Sequence, residues 1–423
     1  MSSVYLNKAP IPQSFETILF QFQKEILRNQ PSDIIDFGIE YFKCLEQGIK
    51  LNYHNKEKIN RKDFDKSTPK IPESINKENS KNLENTNINL LNENNKTNNN
   101  PDLISNDKII ILYNIKKDEK NTKIFGKNFV ENNKDKLKLI IEDKEIELCA
   151  EYSFSNEGEN KIEIVQSNPI SNPSYMFYDC TSLISIEFLK NLNMNNLTDT
   201  SYMFYNCSSI KSIDFVNNWN MANVMNMSCM FVFCSSLQSI NALKNWDTEN
   251  LKNTNGMFGD CISLKSIDAL KNWKTKNITE TEYMFRNCSS LISINALKNW
   301  NLNNLTNTTG MLSGCVSLNS IDDLNNWNMS NVKDTVEMFK DCKLIKSVDA
   351  LKGWDMRNVW NSSGMFNGCS SLVSVKSLKL WNMKNVYEII YMFDGCDSVN
   401  KEEIESLLDY WKEEKAIKHS KFA

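Results

Sequence analysis

The sequence predicts a multidomain protein in which an N-terminal helical hairpin, a small β module and a repeat solenoid follow one another, closed by a C-terminal helix. Three observations predict this fold class. Apolar residues recur at helical spacing between residues 11 and 48, runs of β-branched residues cluster within 108–166, and nine cysteines recur every 27 residues from Cys180 to Cys396. The predicted boundaries are 8–49 for the hairpin, 50–107 for a linker, 108–168 for the β module, 169–400 for the solenoid and 401–423 for the C-terminal helix and tail.

The N-terminal segment is typical of two amphipathic helices separated by Pro31, a residue that ends one helix and suits the first turn of the next. The second helix is apolar on more than one face, and the apolar face of the first comprises Phe15, Ile18, Leu19, Phe22 and Ile26. Two helices of this length cannot bury so much apolar surface alone. We therefore expect self-association as an antiparallel, dimeric four-helix bundle. The alternative is a hairpin packed on the rest of the same chain.

A family resemblance rests on a nearly gapless set of residues: Ile11-Pro12, Phe15-Glu16, Ile18-Leu19, Glu25-Ile26-Leu27-Arg28, Gln30-Pro31, Asp33-Ile34-Ile35, Phe37 and Glu40-Tyr41-Phe42. This segment resembles the RIIa-type dimerisation and docking domain of type II regulatory subunits of cAMP-dependent protein kinase. The resemblance implies an X-shaped homodimer whose shallow apolar groove holds one amphipathic helix of an anchoring protein. By position, it implies that the groove is lined by Ile11, Phe15, Leu19 and Gln23, and that the dimer core contains Ile18, Phe22, Phe37 and Tyr41.

Two positions depart from that family pattern. Ala9 stands where the family often has an isoleucine, and Lys24 stands where an aliphatic residue is usual. These departures imply a more polar groove and a partner that differs from the anchors of the kinase.

Composition excludes several classes of function. The formal net charge is −4 over 423 residues, and no basic patch suggests nucleic acid. No apolar run approaches the roughly 18 residues of a membrane span, and the start MSSVYLNKAPIPQSF lacks a secretory signal, which favours the cytoplasm.

Residues 50–107 are dense in Asn, Lys, Glu and Ser and are expected to be a disordered linker; a short binding motif within them is the alternative.

The segment 108–166 contains runs that are typical of β-strands, at 108–115, 136–149 and 160–166. Residues 142–144 are expected to turn a hairpin between strands at 137–141 and 146–149, and 124–126 to add a further short strand. A free sheet of this size would be marginally stable. We therefore expect the module to pack on the start of the repeats and to cap them.

The repeats share a fixed set of columns around each cysteine. A Met-Phe pair precedes it, with Met311-Leu312 as the exception, and aliphatic residues follow three, six and nine positions later. Twelve positions after the cysteine stands Trp in seven units, from Trp219 to Trp381, and sixteen positions after it stands Asn, from Asn196 to Asn385. Stacking such units in register buries the apolar side that one unit alone would expose.

The motif W-[DN]-x-x-[NS]-V followed by M-F-x-x-C resembles BspA-type leucine-rich repeats, which implies a solenoid that offers a long surface for protein contacts. We expect one short parallel strand per coil in the Ser-Leu-x-Ser-Ile-Asp segment, as in 263–268, with coils about 4.8 Å apart. The Asn column is expected to form a ladder in which side-chain amides bond backbone groups.

The last segment is predicted to be a helix that begins at Asn400 with a capping-box arrangement ending at Glu403. Its apolar stripe comprises Ile404, Leu407, Leu408 and Trp411. We expect this stripe to cover the last coil; the alternative is a ligand helix for some other groove.

The sequence offers no recognisable catalytic residues, cofactor site or metal ligands, so we predict a protein that is not an enzyme. His54 and His419 lie in the predicted linker and tail, far from a nucleophile. Cysteines spaced 27 residues apart do not match zinc-binding spacings, and we expect them to form a buried, packed column. The Trp column is expected to bury its rings against the Met-Phe column, with a sugar or peptide platform as the alternative. An Asp/Asn column, which includes Asp214 and Asp268, suits a solvated turn.

Together these features favour a non-enzymatic adaptor that homodimerises, docks an amphipathic helix of an anchoring protein and presents leucine-rich repeats to a protein partner. By resemblance to docking domains outside the kinase, we expect a cilium, flagellum or cytoskeletal location. One alternative is a modulator of cAMP-dependent protein kinase anchoring that competes with regulatory subunits. Another is a surface or adhesion repeat protein, against which the missing signal peptide argues.

Overall fold

The computed structural model describes residues 108–117, 119, 121–170, 172–187 and 197–419, with side chains up to 413. All of these residues belong to one compact unit, Pro101–Ala423. The predictions for 1–107, which include the helical hairpin and the linker, lie outside the described residues.

The unit begins with an antiparallel sheet whose strand order is β4-β3-β6-β1-β7. The bounds of the strands are β1 Ile109–Ile115, β2 Thr122–Lys123, β3 Leu137–Ile141, β4 Lys144–Glu147, β5 Glu151–Tyr152, β6 Gly158–Gln166 and β7 Leu183–Glu187. Alternate residues of β1 are buried, as expected of a strand with one face in the core. β7 belongs to the first coil, so its pairing with β1 joins the sheet to the repeats through backbone hydrogen bonds.

The predicted hairpin is present, with a tighter turn than expected. Ile141 pairs with Lys144, so only Glu142 and Asp143 form the loop, and both have positive φ (49° and 61°). Two positive φ values are the mark of a type I′ turn, which matches the twist of paired strands. β4 therefore begins two residues earlier than predicted and ends at Glu147.

The prediction of a strand at 124–126 was wrong. The two-residue strand β2 ends at Lys123, and the next two residues turn into the core. Helix α1, Lys127–Asn133, was not predicted from the sequence. Phe125 stacks on Phe129 of α1 and on Phe177 of the first coil, with centroids 5.8 and 5.4 Å apart. Such a short helix is stabilised by tertiary packing rather than by its own propensity.

Successive coils are joined by a backbone ladder along the Met-Phe-x-x-Cys segment. The N–H of Phe204 donates to the carbonyl oxygen of Met230 at 2.9 Å, and the N–H of Asn206 donates to that of Val232 at 2.7 Å. Isolated parallel bridges extend this ladder eight residues before each cysteine, as between Asn253 and Glu280.

The prediction of a strand in the Ser-Leu-x-Ser-Ile-Asp segment was therefore wrong for most coils. Among the described residues, this segment forms a strand only at β7 and a single bridge between Ser212 and Ser239. Elsewhere the chain leaves it through a 3₁₀ turn, and the backbone N–H that opens the turn is bound by a serine hydroxyl, as in Asp268 N–H to Ser266 Oγ (3.1 Å). These turns are Asp214–Val216, Asn241–Asn245, Asp268–Asn272, Asn295–Leu297, Asp322–Leu324, Asp349–Gly353 and Lys376–Leu380.

The displacement from coil to coil differs across the stack. The ring centroids of equivalent residues lie 4.8 Å apart for Tyr178 and Tyr205, 5.5 Å for Phe204 and Phe231, and 6.4 Å for Trp219 and Trp246. Because each pair is nearly parallel, these separations measure the local spacing of the coils. The coils are therefore farther apart at the Trp column than at the Tyr column. The stack curves, with the Trp column on its outer side and the Tyr column on its inner side.

Helix α2, Lys401–His419, closes the stack as predicted. Asn400 Oδ1 accepts the N–H of Glu402 at 2.9 Å, which is the expected N-cap. Glu403 does not reach back to Asn400; its carboxylate instead accepts Ser374 Oγ–H and Val375 N–H at 2.6 and 2.7 Å. Trp411 is buried and stacks on Trp381 (6.3 Å, 4°), so α2 adds one more ring to the Trp column.

Candidate interaction surfaces

The residues predicted to dock a partner helix and to form the dimer core lie between positions 11 and 41, outside the described residues. Their placement stays a prediction. The described repeats instead test the other candidate chemistry of the sequence, namely the columns of Cys, Trp and Asn.

The cysteine column is a packed ladder, as predicted. Each of the eight thiols from Cys207 to Cys396 donates to the carbonyl oxygen of the residue 30 positions earlier, as in Cys288 Sγ to Phe258 O (3.2 Å). Burial raises the pKa of Cys234 to about 12 and holds that of Cys288 well above its ordinary value. A thiol that stays protonated is a poor nucleophile and a poor metal ligand. Within the described residues, no group of three His, Cys, Asp or Glu side chains is arranged to hold a metal ion.

The Trp column is also part of the core. Trp354 lies 6.3 Å from Phe339, which confirms the predicted packing of these rings against the Met-Phe column. Its indole N–H donates to Leu324 O of the preceding coil at 3.0 Å. The same bond recurs at Trp246, Trp273, Trp300, Trp327 and Trp381. These rings are thus not free to form a platform for a ligand.

The Asn column forms the predicted ladder. The Nδ2 of Asn304 donates to Lys276 O at 2.9 Å, and the equivalent bond to the residue 28 positions earlier is made by Asn250, Asn277, Asn331, Asn358 and Asn385. Each amide satisfies a carbonyl oxygen at the turn of the neighbouring coil. Asn304 is exposed, so this ladder runs along the surface of the stack.

Two exposed aromatic residues were not predicted from the sequence. Trp360 and Tyr387 stand eighteen residues after a column cysteine, outside the Trp column, and are 53% and 81% exposed. That offset from the column is the signal that could have separated Trp360 from the buried tryptophans. At the opposite end, Tyr175, Tyr178, Tyr202 and Tyr205 form two stacked pairs on the inner side of the curve.

The aspartates predicted to occupy a solvated turn do so. Asp214, Asp268, Asp322 and Asp349 are exposed and begin the 3₁₀ turns. No helix in the described part of the chain is long and apolar enough to cross a membrane.

Comparison with known families follows this division of the chain. Residues 13–48 match the family described as regulatory subunit of type II PKA R-subunit. Residues 107–229 match the BspA-type leucine-rich repeat region, so this match includes the β module. Both resemblances found in the sequence are thus confirmed. A third family, described as "Mycoplasma protein of unknown function, DUF285", matches three overlapping segments, 171–291, 265–369 and 344–421. No curated protein and no solved structure matches the chain.

Proposed function

Because the chain belongs to the family described as "Mycoplasma protein of unknown function, DUF285", whose description assigns no role, we propose its function from the two domains that it joins. We propose a non-enzymatic adaptor. The RIIa-type segment dimerises and binds an amphipathic helix of an anchoring protein, and the leucine-rich repeats bind a second protein partner. Matches to two kinds of non-catalytic interaction domain indicate a protein-interaction adaptor.

The observation that carries the proposal is the match of residues 13–48 to the RIIa family, on a chain whose described residues form a capped stack of repeats. A protein that only docked to an anchoring protein would need no repeats beside its docking domain. A stack of coils offers side chains at a regular spacing over a long surface, which suits protein contacts. Dimerisation presents two such stacks and raises the effective concentration of their partner.

The test of docking is Leu19→Glu in the full-length chain. A carboxylate on the groove floor must be desolvated by the partner helix, so recovery of a partner that carries an amphipathic helix falls to background. Leu19→Met is the matched control and retains recovery, since Met conserves apolar character and volume. Equal recovery by Leu19→Glu and by the unmodified chain would contradict the docking role.

Dimerisation is tested separately by light scattering on the full-length chain. The proposal predicts the mass of a dimer, and a monomer for Phe22→Glu, because this residue is assigned to the dimer core and a buried carboxylate there has no partner. A monomeric unmodified chain would contradict this part of the proposal.

A second candidate function is modulation of cAMP-dependent protein kinase anchoring. It is favoured by the family that residues 13–48 match. Displacement of a type II regulatory subunit from an anchoring peptide by the full-length chain distinguishes it from the adaptor role, which does not require competition. In either case the anchoring partner determines the location, for which we propose the cytoskeleton or a cilium.

A further inference from the structure

An open depression of about 520 Å³ lies on the surface of the late coils. Six residues line it: Asn331, Lys333, Asn358, Trp360, Asn385 and Tyr387. Its volume falls within the roughly 300–1,000 Å³ that is typical of small-molecule sites. The depression combines two features, a pair of exposed aromatic rings and three successive rungs of the Asn ladder.

The aromatic rings are exposed although the fold has a buried column for such residues. All nine tryptophans lie in the described part of the chain, and Trp360 alone is exposed. Its indole N–H donates to Asp334 Oδ2 of the preceding coil at 2.7 Å, which fixes the ring along the stack and uses its single donor. Tyr387 projects from the next coil. The Trp360 ring is therefore an ordered apolar platform whose N–H is not available to a ligand.

The amide rungs supply acceptors. The Nδ2 groups of Asn331 and Asn358 are bound to Asn303 O and Ser330 O (2.6 and 2.5 Å), and that of Asn385 is bound to Arg357 O. No donor from the described residues reaches the three Oδ1 atoms. Because the three rungs line the same depression as the rings, their oxygens are the acceptors that this depression can offer to a ligand.

A ligand for this depression must therefore offer an apolar face and several donors. A pyranose ring has both, since its C–H groups form a flat apolar face and its hydroxyls donate. A proline-rich peptide offers mainly carbonyl acceptors and would need the indole N–H that Asp334 already occupies. A nucleic acid would bring phosphates close to Asp334 and to Glu388, the residue after Tyr387.

We propose that this depression is a carbohydrate-binding site for a neutral oligosaccharide. One sugar ring packs on the indole of Trp360 and a second lies beside Tyr387. The hydroxyls donate to Oδ1 of Asn358 and Asn385, and Lys333 Nζ donates to a hydroxyl oxygen. This site is independent of the N-terminal docking segment, so the failure of either proposal leaves the other standing.

The experiment uses the full-length chain on an array of neutral oligosaccharides of glucose, N-acetylglucosamine, mannose and galactose. Each bound sugar is then titrated in solution, with acrylamide quenching of tryptophan fluorescence as the readout. Because the other tryptophans are buried, quenching reports mainly on Trp360. Binding should protect this ring, and Trp360→Ala and Tyr387→Ala should each weaken binding by about tenfold.

Two further variants control for folding and for general stickiness. Trp360→Phe keeps an aromatic platform and should retain most of the affinity. Leu380→Ala removes an apolar side chain outside the depression, whose exposure (71%) lies between those of Trp360 and Tyr387, and should change nothing. Failure of the chain to bind any sugar on the array at millimolar concentration would overturn the proposal. Sugar binding that is unchanged in Trp360→Ala would also overturn it. So would the finding that Trp360 and Tyr387 bind a polyproline peptide or polyuridine and no sugar.

Discussion

The ring of Tyr283 lies against the α-carbon of Gly310 in the next coil and leaves no space there for a β-carbon. Gly310 has a φ of 57°, in the left-handed region. Gly256 and Gly364, at the equivalent positions two coils before and two coils after it, both have a φ of 62°. Gly256 lies beneath Cys229, and Gly364 lies beneath Glu337. In these coils the side chains of Tyr283 and Glu337 are thus each followed by a glycine on the next coil, which lets the side chain pack closely against it.

Gly310→Ala should lower the free energy of unfolding by about 2 kcal/mol, because it combines a strained φ with a clash against the Tyr283 ring. Urea denaturation measures the change. Gly353→Ala is the matched control; it adds a β-carbon where no atom lies within 4 Å and should leave stability within about 0.5 kcal/mol. If both variants unfold at the same urea concentration, the Tyr283 ring does not prevent a β-carbon from being accommodated at residue 310.

Asn304→Asp should lower the free energy of unfolding by about 1 kcal/mol. The substitution removes the donor to Lys276 O and places a carboxylate oxygen against a carbonyl oxygen. Asn299→Asp, on an exposed turn of the same coil, adds the same charge and should have little effect. Equal thermal denaturation curves for the two variants would show that the Asn ladder does not stabilise the stack.

Trp411→Ala should lower the free energy of unfolding by about 3–5 kcal/mol and should expose the last coil first. The ring is fully buried against Trp381 and Phe393, and each coil of a solenoid is stabilised mainly by its neighbours. Hydrogen exchange followed by mass spectrometry should show loss of protection that begins at 370–400 and weakens towards the first coils. Glu405→Ala, at an exposed position of the same helix, is the control. Uniform loss of protection along all coils would contradict this account.

The attachment of α2 should depend on pH through Glu403. Partial burial opposes ionisation of this carboxyl, but hydrogen bonds from Ser374 Oγ and Val375 N, with Lys376 nearby, outweigh it and lower its pKa. A lowered pKa contributes stability above the unfolded value of about 4.5, and this stability is lost as the pH falls through the folded value.

Glu403→Gln should therefore reduce the loss of stability between about pH 6 and pH 3, measured as the change in the urea midpoint. Glu405→Gln removes an exposed carboxylate of α2 and should leave that loss unchanged. An identical acid-induced loss in the unmodified chain and in Glu403→Gln would contradict the assigned role.

Much of the repeat architecture could be predicted because recurrence in sequence reports repeated packing. Asn304, Cys288 and Trp354 each recur at a fixed offset, and each offset matches one interaction with the preceding coil. The bond geometry differs from column to column, but all three place a side-chain donor on a backbone carbonyl oxygen. The burial of Trp411 was predicted from a different pattern, the apolar stripe at helical spacing in α2.

The position of the backbone ladder that joins successive coils could not be predicted in the same way. Tyr202 and Asn206 adopt positive φ values of 57° and 56°, which β-branched alternation does not reveal, and these residues flank the Met-Phe pair whose backbone joins the coils. The Ser-Leu-x-Ser-Ile-Asp segment has the composition of a strand, yet the serine hydroxyl bound to Asp268 N–H directs the chain into a 3₁₀ turn. Helix α1 depends on packing of Phe129, which local sequence does not encode.

The site around the exposed aromatic rings could be predicted from the sequence only in part. Trp360 breaks the spacing of the Trp column, and the break itself is visible in the sequence. What the sequence does not show is that three amide side chains line the same depression as the ring, because that arrangement depends on how the coils stack.

Quantitative mass spectrometry of partners captured from native lysate by the full-length chain, beside Leu19→Glu and Leu19→Met, tests the adaptor role most directly. The account predicts two sets of partners. One contains a protein with an amphipathic helix and is lost only with Leu19→Glu, and the other binds the repeats and is recovered equally by all three baits. Identical recovery of every partner by the three baits would contradict the proposal that the N-terminal segment docks a helix.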